Sequence, residues 1–322
     1  MSFPKSFLSV LLLALARQEP APAPSIPVRT IAATSSPVKR FALDPKQTQI
    51  ALLTENHNVA LVSRAKDVRL WLVSEKLFPA FDIDIAGECV FTSLMMPTYA
   101  AYKVDSGEFQ SAMGAPDIQT ATTCSAMDPQ GRWVWFGSER ASLYRVTPGV
   151  MKGWSLRQLG HGGSTAMALS PDGDLLAVAG ADRTIRFVNS KSAQVDDKKV
   201  FEDLDASAST LVFDPKSALL VSTGEDKLLR IWSVASGKTR AKLAGHESVV
   251  RALAFDSKSA LLAAGDEKGV VKLWSVAKGE VLLELSCDGG GAVTDLEFVD
   301  KGKALLGACG VNGLLMWDLP KL

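Results

Sequence analysis

Few residues of this chain have both the type and the spacing that chemistry requires. Its three histidines are His57, His161 and His246. A metal centre needs three or four ligands converging on one point. These three fall in different segments at non-equivalent positions, so no metal site is expected. Asp82-Ile83-Asp84 with Glu88 has the look of a calcium loop. Such a loop, however, ends on a bidentate Glu at its twelfth position, where this sequence has Ser93. Ile83 also belongs to an apolar stripe, which makes Asp82 and Asp84 strand and turn residues. Gly160-His161-Gly162-Gly163 could cradle a phosphate only if a helix followed to meet the anion. A strand-like stretch, Thr165 to Leu169, follows instead. Trp133 and Trp135 alternate and should share one side of a strand, where packing explains them and a ligand-stacking platform is the alternative. Trp71 and Trp154 fall in outermost strands, partly exposed. The chain has no G-x-S-x-G, H-E-x-x-H or C-x-x-C motif. No catalytic residue and no cofactor is expected.

Lysines and arginines number 35, as do the acids, so the formal net charge is zero. A nucleic-acid partner would call for a basic excess or stripe; neither is visible, and none is expected. Near the N-terminus, Lys5 precedes an apolar run from Phe7 to Ala16 that ends Ala14-Leu15-Ala16. That order suits a secretory signal peptide over residues 1–16, cleaved after Ala16; the alternatives are an uncleaved anchor or a buried segment. Residues 17–27 carry prolines at 20, 22, 24 and 27, an extended tether. No later stretch is long enough to span a membrane, so an exported protein without a membrane span in its mature chain is expected. Export would permit disulfides among Cys89, Cys124, Cys287 and Cys309. Cys287 and Cys309 flank strands whose antiparallel pairing would bring them near each other, although a small buried thiol also suits Cys309.

The elements that must position all of this repeat. Asp44-Pro45, Asp128-Pro129, Ser170-Pro171 and Asp214-Pro215 suit the start of a type I turn. Weaker copies stand at Asp84, Asp256 and Val299. The intervals between the seven are 40, 44, 42, 44, 42 and 43 residues. Before each anchor runs an alternating apolar stripe broken only by Ser125, the pattern of a strand with one face in a core. Eighteen residues after the anchors come Val62, Tyr102, Val146, Val188, Trp232, Trp274 and Trp317, all strand-favouring types. A second apolar strand lies between these markers and a fourth follows. This predicts an all-β fold, a seven-bladed β-propeller of four-stranded antiparallel blades over residues 28–322. The last unit lacks its own fourth strand, while residues 26–34 supply a strand with no blade of their own. The N-terminal strand should therefore close the last blade.

The residues at these positions resemble the WD-repeat family. Trp317-Asp318 is an intact Trp-Asp pair, Trp232-Ser233 and Trp274-Ser275 are near copies, and Gly-His pairs occur at 160–161 and 245–246. The resemblance implies a structural role for Trp232, Trp274 and Trp317. In the family a His lies near an Asp six residues before the Trp position, and only His161 and Asp182 of the fourth unit carry both. It also implies a scaffold that binds proteins or peptides on its loop face or channel mouth. By that analogy the partner-binding residues are Arg140, Arg183, Glu225, Lys227, Glu267 and Lys268, joined by His57 and Arg251. A non-catalytic, monomeric scaffold in the cell envelope or outside the cell is the expectation. A hydrolase or lactonase at the channel mouth is the alternative, disfavoured because the inner-strand positions read as apolar or small; a structural envelope component or sensor module is a third reading.

Overall fold

Alternating apolar residues followed by tight turns give 28 strands among the described residues, β1 to β28 in chain order. The computed structural model describes residues 28–32, 36–64, 68–74, 80–86, 89–94, 98–114, 120–147, 154–159, 162–287, 290–310 and 313–322. The leader and tether read from residues 1–27 lie outside them. The strands form seven four-stranded antiparallel sheets. Their innermost strands are β2 (Val38–Leu43), β6 (Ala80–Ala86), β10 (Thr122–Met127), β14 (Ser164–Leu169), β18 (Ala208–Phe213), β22 (Val250–Phe255) and β26 (Val293–Val299).

The seventh blade closes the ring as the sequence predicts. β1 (Val28–Ala32) pairs antiparallel with β28 (Leu314–Asp318), Val28 opposite Trp317 and Arg29 opposite Met316. The blade order is β1, β28, β27 (Ala304–Cys309), β26. An Arg29–Asp318 ion pair at 2.8 Å lies beside the joint.

The turn after each inner strand shows why Asp recurs there. Asp44, Asp214 and Asp256 each use Oδ1 to accept two successive backbone N–H groups, such as those of Ala218 at 2.7 Å and Leu219 at 2.6 Å on Asp214. Ser170 does the same for Leu175 with its hydroxyl. These bonds satisfy donors that the strand ladder leaves free.

Blade two corrects the expected register. Asp84 is not its turn anchor but lies inside β6, and the hairpin pairs Ile85 with Val90, whereas blade one pairs Leu43 with Ile50. The turn is two residues shorter, so Asp82 occupies the position of Arg40, opposite Ser93 and Leu53 respectively. Ile83 and Ile85 form the apolar stripe. The third-strand marker Tyr102 was correctly placed, because deletion in the turn left the second and third strands in register.

The core lies between blades rather than within one central mass. One cluster joins Phe41, Ile50 and Leu52 of blade one to Leu306, Leu314 and Met316 of blade seven. Another stacks Trp232 on Phe201, with ring centroids 5.0 Å apart. Trp135 is buried in the cluster between blades three and four, its indole N–H donating to Ser190 of the next blade at 3.1 Å.

Each seam between neighbouring blades has a polar or covalent tie. Hydroxyls of Thr123, Thr165, Thr210 and Thr294 donate to the carbonyls of Ser164, Ala208, Arg251 and Val38 on the next inner strand. Arg40 and Asp82 join blades one and two, and Ser125 donates to Asp82 across the next seam at 2.9 Å. Blades six and seven are joined by the Cys287–Cys309 disulfide, which decides between the two readings of Cys309. Cys89 and Cys124 take no part in a disulfide.

The bridge spans 22 residues and restricts the unfolded chain, so its loss should cost about 3 kcal/mol. Cys287→Ser with Cys309→Ser should lower the denaturation midpoint accordingly. Intact mass should rise by two hydrogens when the wild type is reduced. Four alkylatable thiols in the unreduced, unfolded protein would contradict the bridge.

Candidate functional site

The upper face, where the inner strands begin, is built from turns between second and third strands. In blades one, four and six the turn is held to the entry of its own inner strand: the backbone N–H of Glu55 donates to Pro37, that of Ala181 to Gly163 and that of Glu267 to Val249, at 2.9 to 3.0 Å. Several tips need left-handed backbone, at His57, Ala141, Arg183, Lys227 and Gly269. The side chains of these tips stand on a stiff frame.

Of the residues expected to meet a partner, the structure brings three together. Arg251, on the inner strand of blade six, donates through Nε to Glu267 at 2.8 Å and through Nη2 to Glu225 of blade five at 3.2 Å. Lys227 and Lys268 belong to the same two turns; Lys268 is exposed. Arg140 and Arg183 occupy the turns of blades three and four, both exposed and apart from that cluster. His57 is half-buried, its Nδ1 3.1 Å from the Ala80 carbonyl oxygen of blade two.

The structural residues divide by what lies opposite them. Trp232 donates to Ser222 at 2.9 Å. Trp274 and Trp317 are equally buried, but their indole nitrogens have no partner among the described residues. The position of Ser222 is occupied by Ala264 in blade six and Gly307 in blade seven, as the strand pairing shows. His161 lies outside the described residues. Asp182 bonds within its own turn, to Thr184 and Arg186. A buried His–Asp pair exists in blade six instead, where His246 Nδ1 is 2.9 Å from Asp266. It escaped the sequence reading because Asp266 stands eight residues before Trp274, not six.

The channel differs from the expected apolar lining. A cavity of about 300 Å³ opens among the inner strands. Arg40 lies between Asp82 and Asp295, 3.7 Å from each, and Asp295 also accepts the Phe41 backbone N–H at 3.1 Å. Asp84 and Glu297 follow two residues along the same strands. The equivalent positions of blades three to six hold Cys124, Ala126, Ala166, Ala168, Thr210, Val212, Ala252 and Ala254. At these positions charge is confined to blades seven, one and two; Arg251 of blade six also lines the cavity. The apolar stripe had described only one side of each inner strand. The opposite parity carried Arg40, Asp82, Asp84, Asp295 and Glu297, a legible signal once that side is read.

Burial is the main cause of their altered acidity, since a low dielectric disfavours charge. It pushes Asp84 up to about 7, with Asp82 and Asp295 adding repulsion. It pushes Asp295 up to about 6 against the pull of Arg40. Glu297 is pushed up to about 8 by burial, then by Asp295 and Asp84. The Cys124 thiol, also buried, is pushed up to about 12 and is inert as a nucleophile.

Among known families, the one described as WD domain, G-beta repeat, matches residues 153–189, 200–233 and 237–275. Each matched stretch runs from the outer strand of one blade to the third strand of the next. The sequence repeat is therefore offset from the blade by one strand, the same offset that leaves β1 to complete blade seven.

The three raised carboxyls set a direction for stability. They keep protons in the folded chain that the unfolded chain, with carboxyls near 4, has already released. Stability should therefore fall as pH rises from about 4 to about 8 and level off above, by at most about 1.4 kcal/mol per pH unit for each group. Asp84→Asn with Glu297→Gln should flatten that decline and leave the variant more stable than wild type at pH 8. Denaturant titrations across this range test it; a wild-type stability that climbs with pH would refute the assignment.

Proposed function

The chain is a WD-repeat β-propeller, and from that premise we propose that it is a non-catalytic scaffold binding a protein or peptide on its upper face. Propellers of this family commonly serve as protein-interaction scaffolds. The observation that carries the reading here is the Arg251 brace. One guanidinium fixes the turn tips of blades five and six beside the channel mouth, so the exposed Lys268 and the adjacent Lys227 are presented without an ordering cost at binding. Arg140 and Arg183 extend the same face across blades three and four.

The proposal places this scaffold in the cell envelope or outside the cell, acting as a monomer. The N-terminal charge, apolar run and small residues support export. So does the buried Cys287–Cys309 bridge, since such bonds persist in oxidising compartments. Fractionation of cells expressing the tagged full chain should find it outside the cytoplasm.

A second reading, a hydrolase working in the channel, gains one observation in its favour. Asp84 and Glu297 hold protons near neutral pH, as a general acid must. Turnover of ester, lactone or glycoside substrates that vanishes in Asp84→Asn would establish it. Lack of turnover above background across such a panel would remove it.

For the scaffold, cross-linking and affinity purification should recover a reproducible partner. Arg251→Ala frees the brace, and with Lys227→Glu and Lys268→Glu it should weaken capture at least tenfold, about 1.4 kcal/mol, without altering the melting temperature by more than a few degrees. Undiminished capture by this variant would move the partner off the upper face.

A further inference from the structure

The lower face, opposite the one just described, carries turns between first and second strands and between third and fourth. Its charge is unevenly distributed. The residue two places after the turn anchor is Lys46 in blade one, Lys216 in blade five, Lys258 in blade six and Lys301 in blade seven. All four are exposed. These blades are consecutive around the closed ring, and their turns abut. Ser259 donates to Asp214 at 2.7 Å, Gly302 lies against Asp256, and the Asp300 backbone N–H donates to Gln47 Oε1 at 3.2 Å. Lys238 and Lys278 add exposed charges on the third-to-fourth-strand turns of blades five and six, and Lys303 and Lys321 add two more in blade seven.

Little on this face neutralises them. Lysine ion pairs among the described residues are those of Lys103, Lys191, Lys242 and Lys272, none of them in the crescent. Asp44, Asp214 and Asp256 spend their oxygens on the backbone of their own turns. Asp300 is paired with Arg64 and Asp318 with Arg29. Among the described residues of these turns, Glu280 is the exposed acid that remains.

We propose that the lower face of blades five, six, seven and one docks on an anionic lipid bilayer surface through this crescent of unpaired lysines. Lysine supplies compact point charges, which suit a diffuse anionic plane better than the bidentate recognition that Arg gives. A protein interface would want aromatic or Arg anchors set in pockets, and single-stranded nucleic acid would want aromatic rings for stacking. The one exposed large aromatic among the described residues, Phe109, belongs to blade two. The exposed apolar side chains at this end are Val28, Val281, Leu282 and Leu322.

Flotation of the full chain with phosphatidylcholine vesicles, with and without phosphatidylserine, tests the proposal. Wild type should partition onto the anionic vesicles and be released by added salt. Replacing Lys46, Lys216, Lys258 and Lys301 by Gln should lower partition about fivefold for each charge, on the order of a hundredfold or more together. Lys198→Gln, on the exposed outer strand of blade four, should leave vesicle partition unchanged. If the fourfold variant folds poorly, Lys216→Gln and Lys258→Gln singly carry the test at about fivefold each. Equal partition onto neutral vesicles, or undiminished partition of the lysine variants, would overturn the proposal. Binding to soluble polyglutamate without vesicle partition would assign the face to an acidic protein and overturn it as well.

Discussion

A ring of sheets has no stable intermediate between open and closed, and the pairing of β1 with β28 is what closes this one. Without it, blade seven would present a third strand with a free edge, a row of unpaired donors and acceptors. The apolar clusters would suffer too, because each is shared between blades. The cluster joining Phe41, Ile50 and Leu52 to Leu306, Leu314 and Met316 exists only when blades seven and one meet. Local folding of any one blade leaves a face uncovered, so burial and closure stabilise each other.

Apolar burial supplies most of the attraction across a seam, but it is non-directional. Polar ties supply register. Each hydroxyl-to-carbonyl bond at an inner strand contributes only about 1 kcal/mol. Three of the seams carry such a bond at matching positions, from Thr123, Thr165 and Thr294, which fixes neighbouring strands at one height; blade five supplies it from one residue further along, Thr210. Where the hydroxyl is missing, other chemistry takes its place. Blade one has Lys39 at that position and blade two has Phe81, and Asp82 ties both of their seams through Arg40 and Ser125. Blade six has Arg251 there, and the seam beyond it carries the disulfide.

The zero net charge conceals a molecule sorted by sign. Protonatable acids gather in the channel on blades seven and two, on either side of Arg40 of blade one. Lysines without ion-pair partners gather beneath blades five to one. The upper face mixes both signs, with Arg251 braced between two glutamates. These regions have different physics. Buried carboxyls avoid charge at a cost in acidity, whereas exposed lysines keep their charge and create a field screened beyond about 10 Å in ordinary salt. Each region can meet a different partner because the propeller holds its faces rigidly apart.

Much of the fold was legible because a repeat states its pattern several times. Period-2 alternation before Asp44, Asp128, Ser170, Asp214 and Asp256, and Trp232, Trp274 and Trp317 eighteen residues on, fixed strands, turns and the completion of blade seven by residues near 28. The same reading misplaced Asp84, because a two-residue deletion in one hairpin cannot be located until strands are paired. It also missed the sites. His246 and Asp266 depart from the expected spacing, so only their contact identifies them. Arg40, Asp82 and Asp295 are far apart in sequence and share a channel solely because blades one, two and seven adjoin. Lys46, Lys216, Lys258 and Lys301 form no basic run along the chain. Periodicity is a local property that side-chain alternation writes into sequence, whereas the summed charge at a point depends on which turns the closed ring sets side by side.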